Sequence, residues 1–141
     1  MKKLLIMSLA ILFGSTLMFA QSADAYRSTK TLDSVTSKAD LPYFSDWSGC
    51  GNYKAYSSTT RTGFKKLTHS VSFYTVGGSV SFKGAGASGS GSSPGYERST
   101  TSKSYYSSGN VCGSGLTLYL GMYTTTFVDY ATRTYSSTAK I

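Results

Sequence analysis

The chain has 141 residues and a formal net charge of +8 at pH 7, from 14 Lys and Arg against six Asp and Glu. Beyond residue 25, Ser, Thr, Gly and Tyr dominate and long aliphatic side chains are few, a composition that favours short strands and tight turns. These values exclude a two-domain protein and argue against a helical one.

The first 25 residues have the three-part layout of a secretory signal peptide. Lys2 and Lys3 form a charged start, residues 4–20 are apolar, and Ala23-Asp24-Ala25 supplies the small residues that a signal peptidase requires. The alternative is an uncleaved membrane anchor, because an apolar run of about 17 residues is near the lower length limit for crossing a bilayer. The polar segment that comes next favours cleavage after Ala25. We therefore expect a secreted, extracellular protein without a transmembrane segment.

Counting from Tyr26, the mature chain has 116 residues, of which twelve are basic and five acidic. Cys50 and Cys112 are its only cysteines, and an exported chain meets oxidising conditions, so we expect one disulfide between them. A metal site would need further ligands, and His69 is the only histidine. We expect neither a metal nor another cofactor.

The domain organisation that we predict is simple. Residues 26–41 are polar without a clear period and are expected to form a loose leader segment, and residues 42–141 are expected to form a single β domain. Within it, residues 52–58 predict a short strand. Its two faces would carry Tyr53 with Ala55 and Lys54 with Tyr56.

The clearest predicted element is a β-hairpin. Residues 67–75 alternate between a face with Leu, His, Val and Phe and a face with Thr, Ser and Tyr, which indicates a half-buried strand. Gly77-Gly78 comes next, and residues 79–83 alternate again. Two glycines between alternating runs favour a type I′ turn and hence a hairpin.

The Gly/Ser-rich tract at residues 84–95 is predicted to be a flexible loop. Gly84-x-Gly86-x-x-Gly89 matches a dinucleotide-binding fingerprint, but no helix comes after it to present its N terminus to a phosphate. Gly91-x-Ser93-x-Gly95 matches a nucleophile elbow, but Pro94 and the missing α/β framework argue against one. Both are interpreted as chance matches.

Two further strands are predicted near the C terminus. Residues 116–123 alternate between an aliphatic face, expected in the core, and an outer face with two tyrosines. The aliphatic face consists of Leu116, Leu118, Leu120 and Met122. Residues 127–135 are expected to be the antiparallel partner. With six or seven short strands, the sequence predicts an all-β fold, a small antiparallel sandwich or barrel with one disulfide.

Catalytic side chains are scarce in this sequence. Acid–base catalysis needs at least two titratable groups held together, and the acidic residues beyond residue 25 are scattered without a spaced pair. His69 shares a strand face with Val71 and Phe73, which favours a packed or half-exposed structural histidine over a ligand-binding one. We expect no enzymatic activity.

Positive charge is the main functional signal. Arg61, Lys65 and Lys66 cluster before the predicted hairpin, with Lys54 upstream. A cationic exported protein is attracted to anionic envelope material such as phospholipid, teichoic acid or acidic polysaccharide. Charge alone would also suit nucleic acid, but export argues against nucleic acid as a partner.

Aromatic side chains interleave with these charges, and tyrosine rings suit contacts with sugars or lipid headgroups. Two patches are predicted: the first contains Trp47, Tyr53 and Tyr56, and the second Tyr105, Tyr106, Tyr119 and Tyr123. The alternative is that the lysines only keep the fold soluble and the tyrosines fill cross-strand positions.

A run of short motifs spans residues 47–71. Trp47-x-Gly49-x-Gly51 is followed by Tyr56-Ser57, a basic step at Lys65-Lys66 and a strand opening at His69-Ser70-Val71. In these features the segment resembles the cationic β-sandwich lactococcin family of exported bacteriocins. The resemblance implies a small antimicrobial that acts on the envelope of related bacteria by capturing a cell-wall precursor and blocking septum formation. It also implies functional roles for Trp47, Gly49, Gly51, Tyr56, Ser57 and His69.

The sequence supports two functions. The first is a secreted, cationic, bacteriocin-like antimicrobial that binds an anionic envelope component: a cell-wall precursor, teichoic acid or polysaccharide. The second is a non-catalytic cell-wall-binding, polysaccharide-binding or matrix protein. The ligand-binding candidates are Trp47, Tyr53, Lys54, Tyr56, Arg61, Lys65, Lys66 and His69. Assembly as a homo-oligomer is compatible with either function.

Overall fold

The computed structural model describes residues 26–41 and 49–141, with the backbone alone at Tyr26. The predicted signal peptide and Trp47 lie outside the described residues. Ten strands are described in chain order: β1 (Tyr26–Leu32), β2 (Val35–Leu41), β3 (Cys50–Thr59), β4 (Lys66–Val76), β5 (Ser79–Gly84), β6 (Ala87–Gly91), β7 (Gly95–Thr100), β8 (Ser104–Ser114), β9 (Tyr119–Asp129) and β10 (Thr134–Lys140). No helix among these residues could cross a membrane.

The strands form two antiparallel sheets that pack face to face. Sheet A has the order β1-β2-β3-β8-β5-β6, and sheet B has the order β10-β9-β4-β7. The predicted fold class, an all-β antiparallel sandwich with one disulfide, is confirmed. The described strands number ten rather than the six or seven expected, because the leader and the Gly/Ser tract also form strands.

The core lies between the sheets and contains every second residue of the central strands. Its largest cluster combines few aliphatic side chains with aromatic rings, as in the edge-on contact of Tyr53 with Phe73, whose ring centroids lie 4.9 Å apart. Phe82 packs on Phe73 with centroids 5.3 Å apart. Rings supply the apolar area that the composition cannot supply as Leu or Ile, and such pairs stabilise a core beyond their burial.

The predicted hairpin at residues 67–83 is wrong, although both of its strands and its turn form. β4 lies in sheet B and β5 in sheet A, so the two strands do not pair. Gly77 and Gly78 do have φ angles of +72° and +58°, but they carry the chain from one sheet to the other. β4 pairs with β9 over eleven positions, and β5 pairs with β8. The backbone hydrogen bonds of β4 and β5 are therefore formed with β9 and β8, not with each other.

The predicted leader at residues 26–41 is also wrong, because it forms the β1–β2 hairpin with seven register pairs. β2 buries Val35, Ser37, Ala39 and Leu41. The small side chains at two of these positions hid the alternation in the sequence.

The predicted loop at residues 84–95 contains β6, which pairs with β5. Glycine fits this strand because the Phe82 ring covers it: a Cβ added at Gly89 would lie 2.9 Å from a carbon of that ring.

The C-terminal prediction is partly correct. Leu120 and Met122 face the core, whereas Leu116 and Leu118 precede β9 and are exposed. Phe127 belongs to the same strand as Met122, not to a partner strand, and β9 pairs with β10 and β4. The alternating pattern of residues 116–123 begins in the loop before β9, and nothing in the sequence marks where that loop ends and the strand starts.

The predicted disulfide between Cys50 and Cys112 is confirmed. The two cysteines are register partners on β3 and β8, the two central strands of sheet A. The disulfide therefore joins two strands that are already hydrogen-bonded to each other. Cys50 lies shortly after residues 42–48, which are outside the described range. Its sequence separation is 62 residues.

Reduction of this disulfide, or the double substitution Cys50→Ser and Cys112→Ser, is expected to lower the free energy of unfolding by about 4 kcal/mol, because it releases a long loop in the unfolded chain. Urea unfolding with and without reductant measures the change. A reduced protein as stable as the oxidised one would contradict this role.

Candidate functional site

A cleft of about 170 Å³ opens on the outer face of sheet A, across β1, β2, β3 and β8. Its floor is the backbone at Ala39 and Ala55, which are register partners and point their side chains into the core. Because side chains alternate along a strand, the neighbours of these alanines point outward and form the walls. The walls consist of Arg27, Lys38, Asp40, Lys54, Tyr56 and Tyr106. We call this feature the sheet A cleft.

Antiparallel register arranges the walls in two rows across the sheet. The first row consists of Arg27, Asp40 and Lys54. The second row consists of Lys38, Tyr56 and Tyr106. Directly opposite side chains on one face have Cβ atoms about 5 Å apart, so each row is continuous.

The cleft is positively charged. Arg27 Nη2 and Nε donate hydrogen bonds of 2.8 and 3.0 Å to Asp40 Oδ2, which neutralises one of the three basic side chains. Lys38 and Lys54 form no salt bridge with any residue of the described chain. Two ammonium groups therefore remain available to an anionic ligand.

The aromatic wall of the cleft is next to these charges. The Lys38 Nζ atom lies 5.4 Å from the centroid of the Tyr56 ring. Tyr56 is half-buried, and Tyr106, its register partner on β8, is more than half exposed. A ring with one polar end can pack against the apolar face of a sugar while its hydroxyl contacts water or ligand.

The structure brings only part of the predicted basic cluster together. Lys54 lies in the sheet A cleft, whereas Arg61 stacks on the Tyr135 ring, 3.5 Å from its centroid, beyond the end of β3. Lys65 is exposed just before β4, and Lys66 forms a salt bridge of 3.5 Å with Asp129 in sheet B. Lys54 is therefore separated in space from Arg61, Lys65 and Lys66, although the four residues are near in sequence.

Sequence reasoning missed Arg27, Lys38 and Asp40, because it treated residues 26–41 as a leader. A signal was present: Thr36, Lys38 and Asp40 alternate with smaller and more apolar residues.

The second predicted aromatic patch is also divided. Tyr106 faces outward from sheet A, and Tyr119 and Tyr123 lie on the outer face of sheet B. Tyr105 is partly buried, with its ring centroid 5.1 Å from that of His69.

Tyr53 and His69 are fully buried, so neither can contact an external ligand. Tyr53 shares β3 with the cleft residues but lies on its inner face, between Phe73 and Tyr96. The alternation along β3 was predicted correctly, but Tyr53 lies on the buried face. His69 points inward from β4, as the structural alternative for this residue required.

His69 stands in a continuous chain of hydrogen bonds between the sheets. Its Nδ1 lies 2.7 Å from Ser57 Oγ, and its Nε2 lies 2.7 Å from Ser107 Oγ. A neutral imidazole accepts at one nitrogen and donates at the other, and both serines can do either. Both ring nitrogens are thus paired without a charge.

The chain extends on both sides of His69, and every bond crosses from one sheet to the other. Beyond Ser107 it continues to Tyr96 at 2.7 Å and to Tyr53 at 3.1 Å. Beyond Ser57 it continues to Thr126 at 2.6 Å, then to Ser37 at 2.7 Å and to Ser137 at 2.8 Å. We call these eight side chains the inter-sheet chain.

Ser57 and Ser107 flank a histidine as in a nucleophilic dyad, but both serines are buried in the sandwich with it. No group of three His, Cys, Asp or Glu side chains among the described residues could hold a metal ion. The arrangement in the interior joins the sheets. Among the described residues, the sheet A cleft brings accessible charge and aromatic rings together in one concave site.

No protein-family model, curated protein or solved structure matches this chain. The resemblance of residues 47–71 to the lactococcin family stays a prediction.

Burial lowers the pKa of His69 from 6.5 to about 4. The pKa of His69 is lower in the folded protein than in the unfolded chain, so the unfolded chain binds the proton first as the pH falls. The free energy of unfolding is therefore unaffected by this group above about pH 6.5 and decreases as the pH falls toward 4. The loss is expected to reach about 3 kcal/mol.

His69 is the only histidine, so its ring signals in a proton NMR titration need no assignment. A midpoint near 4 is expected, with unfolding measured in parallel between pH 7 and 4. A midpoint near 6.5 would show an exposed ring and contradict the buried chain. His69→Gln removes the titrating group and should flatten the pH dependence of stability in this window.

Proposed function

We propose that the protein is an exported, cationic, bacteriocin-like protein that binds an anionic component of the bacterial envelope through the sheet A cleft. One observation carries the proposal: four strands bring three basic side chains and two tyrosines to one concave surface with a single carboxylate. That carboxylate is already paired with Arg27, so the ammonium groups of Lys38 and Lys54 are left for a ligand.

The chemistry of the cleft favours a polymer that carries phosphate or carboxylate groups beside sugar or polyol units. Lys38 and Lys54 would pair with the anionic groups, since charge-assisted hydrogen bonds are the stronger class. Tyr56 and Tyr106 would cover the apolar face of a sugar. At about 170 Å³ the cleft is smaller than typical pockets for small molecules, so it would hold one repeating unit of a longer chain.

Export supports a partner in the envelope. A disulfide between Cys50 and Cys112 is typical of oxidising compartments outside the cytosol. The described residues carry twelve Lys and Arg against four Asp and Glu, so the whole surface attracts anionic material before the cleft engages it.

Killing and adhesion share this binding step and differ in its consequence for the target cell. The lactococcin resemblance favours killing through a captured cell-wall precursor, whereas a matrix or wall-binding module would bind and do no more. A spot assay of the purified, oxidised protein on lawns of related Gram-positive strains separates them. Bacteriocin action is expected to give clear zones of growth inhibition. The absence of a zone on every strain would exclude killing and leave binding without killing as the function.

The double substitution Lys38→Gln and Lys54→Gln is expected to weaken binding to isolated cell walls or wall teichoic acid on the order of tenfold, because about 1.4 kcal/mol of lost pairing corresponds to that factor. Binding should also weaken as salt rises from about 0.1 M to about 1 M, since exposed charges are screened. Isothermal titration calorimetry on the soluble polymer measures both effects.

The matched control is Lys65→Gln with Lys66→Gln, which removes the same charge from the start of β4. It should reduce affinity only through the weaker long-range attraction. Equal losses for the two pairs would show that net charge alone drives binding and would exclude the cleft as the site. Tyr56→Ala, which keeps the charge, should also weaken binding.

A further inference from the structure

Exposed apolar side chains gather at one end of the sandwich. Among the described residues, six large hydrophobic side chains are exposed, and four of them meet where β4 ends and β9 begins. The four are Val76 (52% exposed), Leu116 (82%), Leu118 (62%) and Tyr119 (40%). We call them the apolar tip. Scattered exposed hydrophobics are ordinary, but a contiguous group indicates a contact surface.

The backbone holds the tip in place. The Leu118 N–H donates a hydrogen bond of 2.7 Å to the Val76 carbonyl. Between the two leucines, Thr117 is buried, and its Oγ1 donates a hydrogen bond of 2.7 Å to the Ser114 carbonyl. Because Thr117 points inward, Leu116 and Leu118 point outward.

Gly77 lets the two loops of the tip approach each other closely. A Cβ added at Gly77 would clash with the Leu116 carbonyl oxygen, so only glycine fits there. Leu116 and Leu118 therefore lie on a loop that hydrogen bonds hold in place.

Tyrosine rings and one lysine continue from the tip along the outer face of sheet B. The Tyr74 ring centroid lies 5.8 Å from that of Tyr119 and 4.9 Å from that of Tyr123. The Lys140 Nζ atom lies 5.2 Å from the Tyr123 ring centroid and 5.5 Å from that of Tyr74. Tyr123 is four positions along β9 from Tyr119, or about 13 Å at the usual rise of a strand.

The described side-chain carboxylates lie away from this surface. Asp33 and Asp129 are at the opposite end of the sandwich, beside the β1–β2 turn and the start of β4. Asp40 is paired with Arg27. Glu97 lies opposite a β4 residue six positions before Val76. The Lys140 ammonium group therefore has no side-chain carboxylate near it among the described residues, and the Tyr74 hydroxyl donates a hydrogen bond of 2.6 Å to the carbonyl oxygen of Ile141, the last residue of the chain.

We propose that the apolar tip inserts into the surface of a lipid bilayer with anionic headgroups. The order along the protein is the order of depth in such a membrane: aliphatic side chains in the acyl boundary, tyrosine rings at the headgroups, and an ammonium group at the phosphates. The tip lies at one end of the sandwich and is held by a backbone hydrogen bond, so it can enter a fluid bilayer that closes around it. This site is separate from the sheet A cleft, and the inference does not rest on the proposed function.

Cosedimentation of the oxidised, exported protein with vesicles of phosphatidylglycerol and phosphatidylcholine in equal parts tests the proposal. Leu116→Ser with Leu118→Ser is expected to lower the partition coefficient at least tenfold. Leu32→Ser removes a comparably exposed leucine at the opposite end and should leave the partition coefficient unchanged. Lys140→Gln should weaken binding to these vesicles several-fold and leave binding to pure phosphatidylcholine vesicles unchanged.

Leu116→Trp should raise the partition coefficient, because it adds apolar area to the tip. A gain of binding cannot result from misfolding, so this variant controls for a loss of binding caused by misfolding of the serine variant. Lys38→Gln with Lys54→Gln should largely retain vesicle binding while its affinity for the wall polymer falls, so failure of either site is recognised separately.

Three results would overturn the proposal. The first is wild-type protein that does not sediment with anionic vesicles. The second is equal sedimentation of the wild type and the leucine double variant. The third is self-association in solution that the leucine substitutions abolish without any vesicle binding, which would make the tip an interface between copies of this chain.

Discussion

The inter-sheet chain through His69 is the interaction on which the rest of the structure depends. Eight side chains form seven hydrogen bonds, each from one sheet to the other, and together they reach all four strands of sheet B. Buried hydroxyls cost free energy unless they are paired, so their positions fix the register of both sheets. A shift of one residue in any of these strands would turn its hydrogen-bonded side chain outward. Among the described side chains, only the Thr124 hydroxyl is buried without a partner.

This polar interior explains how a chain with few long aliphatic residues can fold. Serine and threonine take inner positions that Leu or Ile would otherwise occupy, and tyrosine contributes both a ring and a paired hydroxyl. The same alternation produces the outer surface: because Ser37 and Ala39 point inward on β2, Lys38 and Asp40 point outward into the sheet A cleft. The cleft is therefore a direct consequence of which residues the interior accepts.

The sequence predicted what depends on local alternation and failed where strand partners are distant. The all-β class, the alternation along β3 and the disulfide can be deduced from residue type and spacing. The pairing of β4 cannot, because alternating strands joined by Gly77-Gly78 fit a hairpin as well as a crossing between sheets. The cleft was half predicted: Lys54 and Tyr56 were named, whereas Arg27 and Lys38 belong to strands whose core positions are small and weakly apolar. His69 was named as a site residue through the family resemblance, although the strand face that it shares with Val71 and Phe73 already indicated a packed position.

The most direct test of the account is an NMR titration of isotope-labelled protein with a soluble anionic wall polymer, monitored at every backbone amide. Binding at the sheet A cleft predicts saturable shifts centred on Lys38, Lys54, Tyr56 and Tyr106, with the amides around Arg61 and Lys65 nearly unchanged. Shifts spread evenly over all basic residues, or centred on β4, would contradict the central claim that this cleft is the binding site.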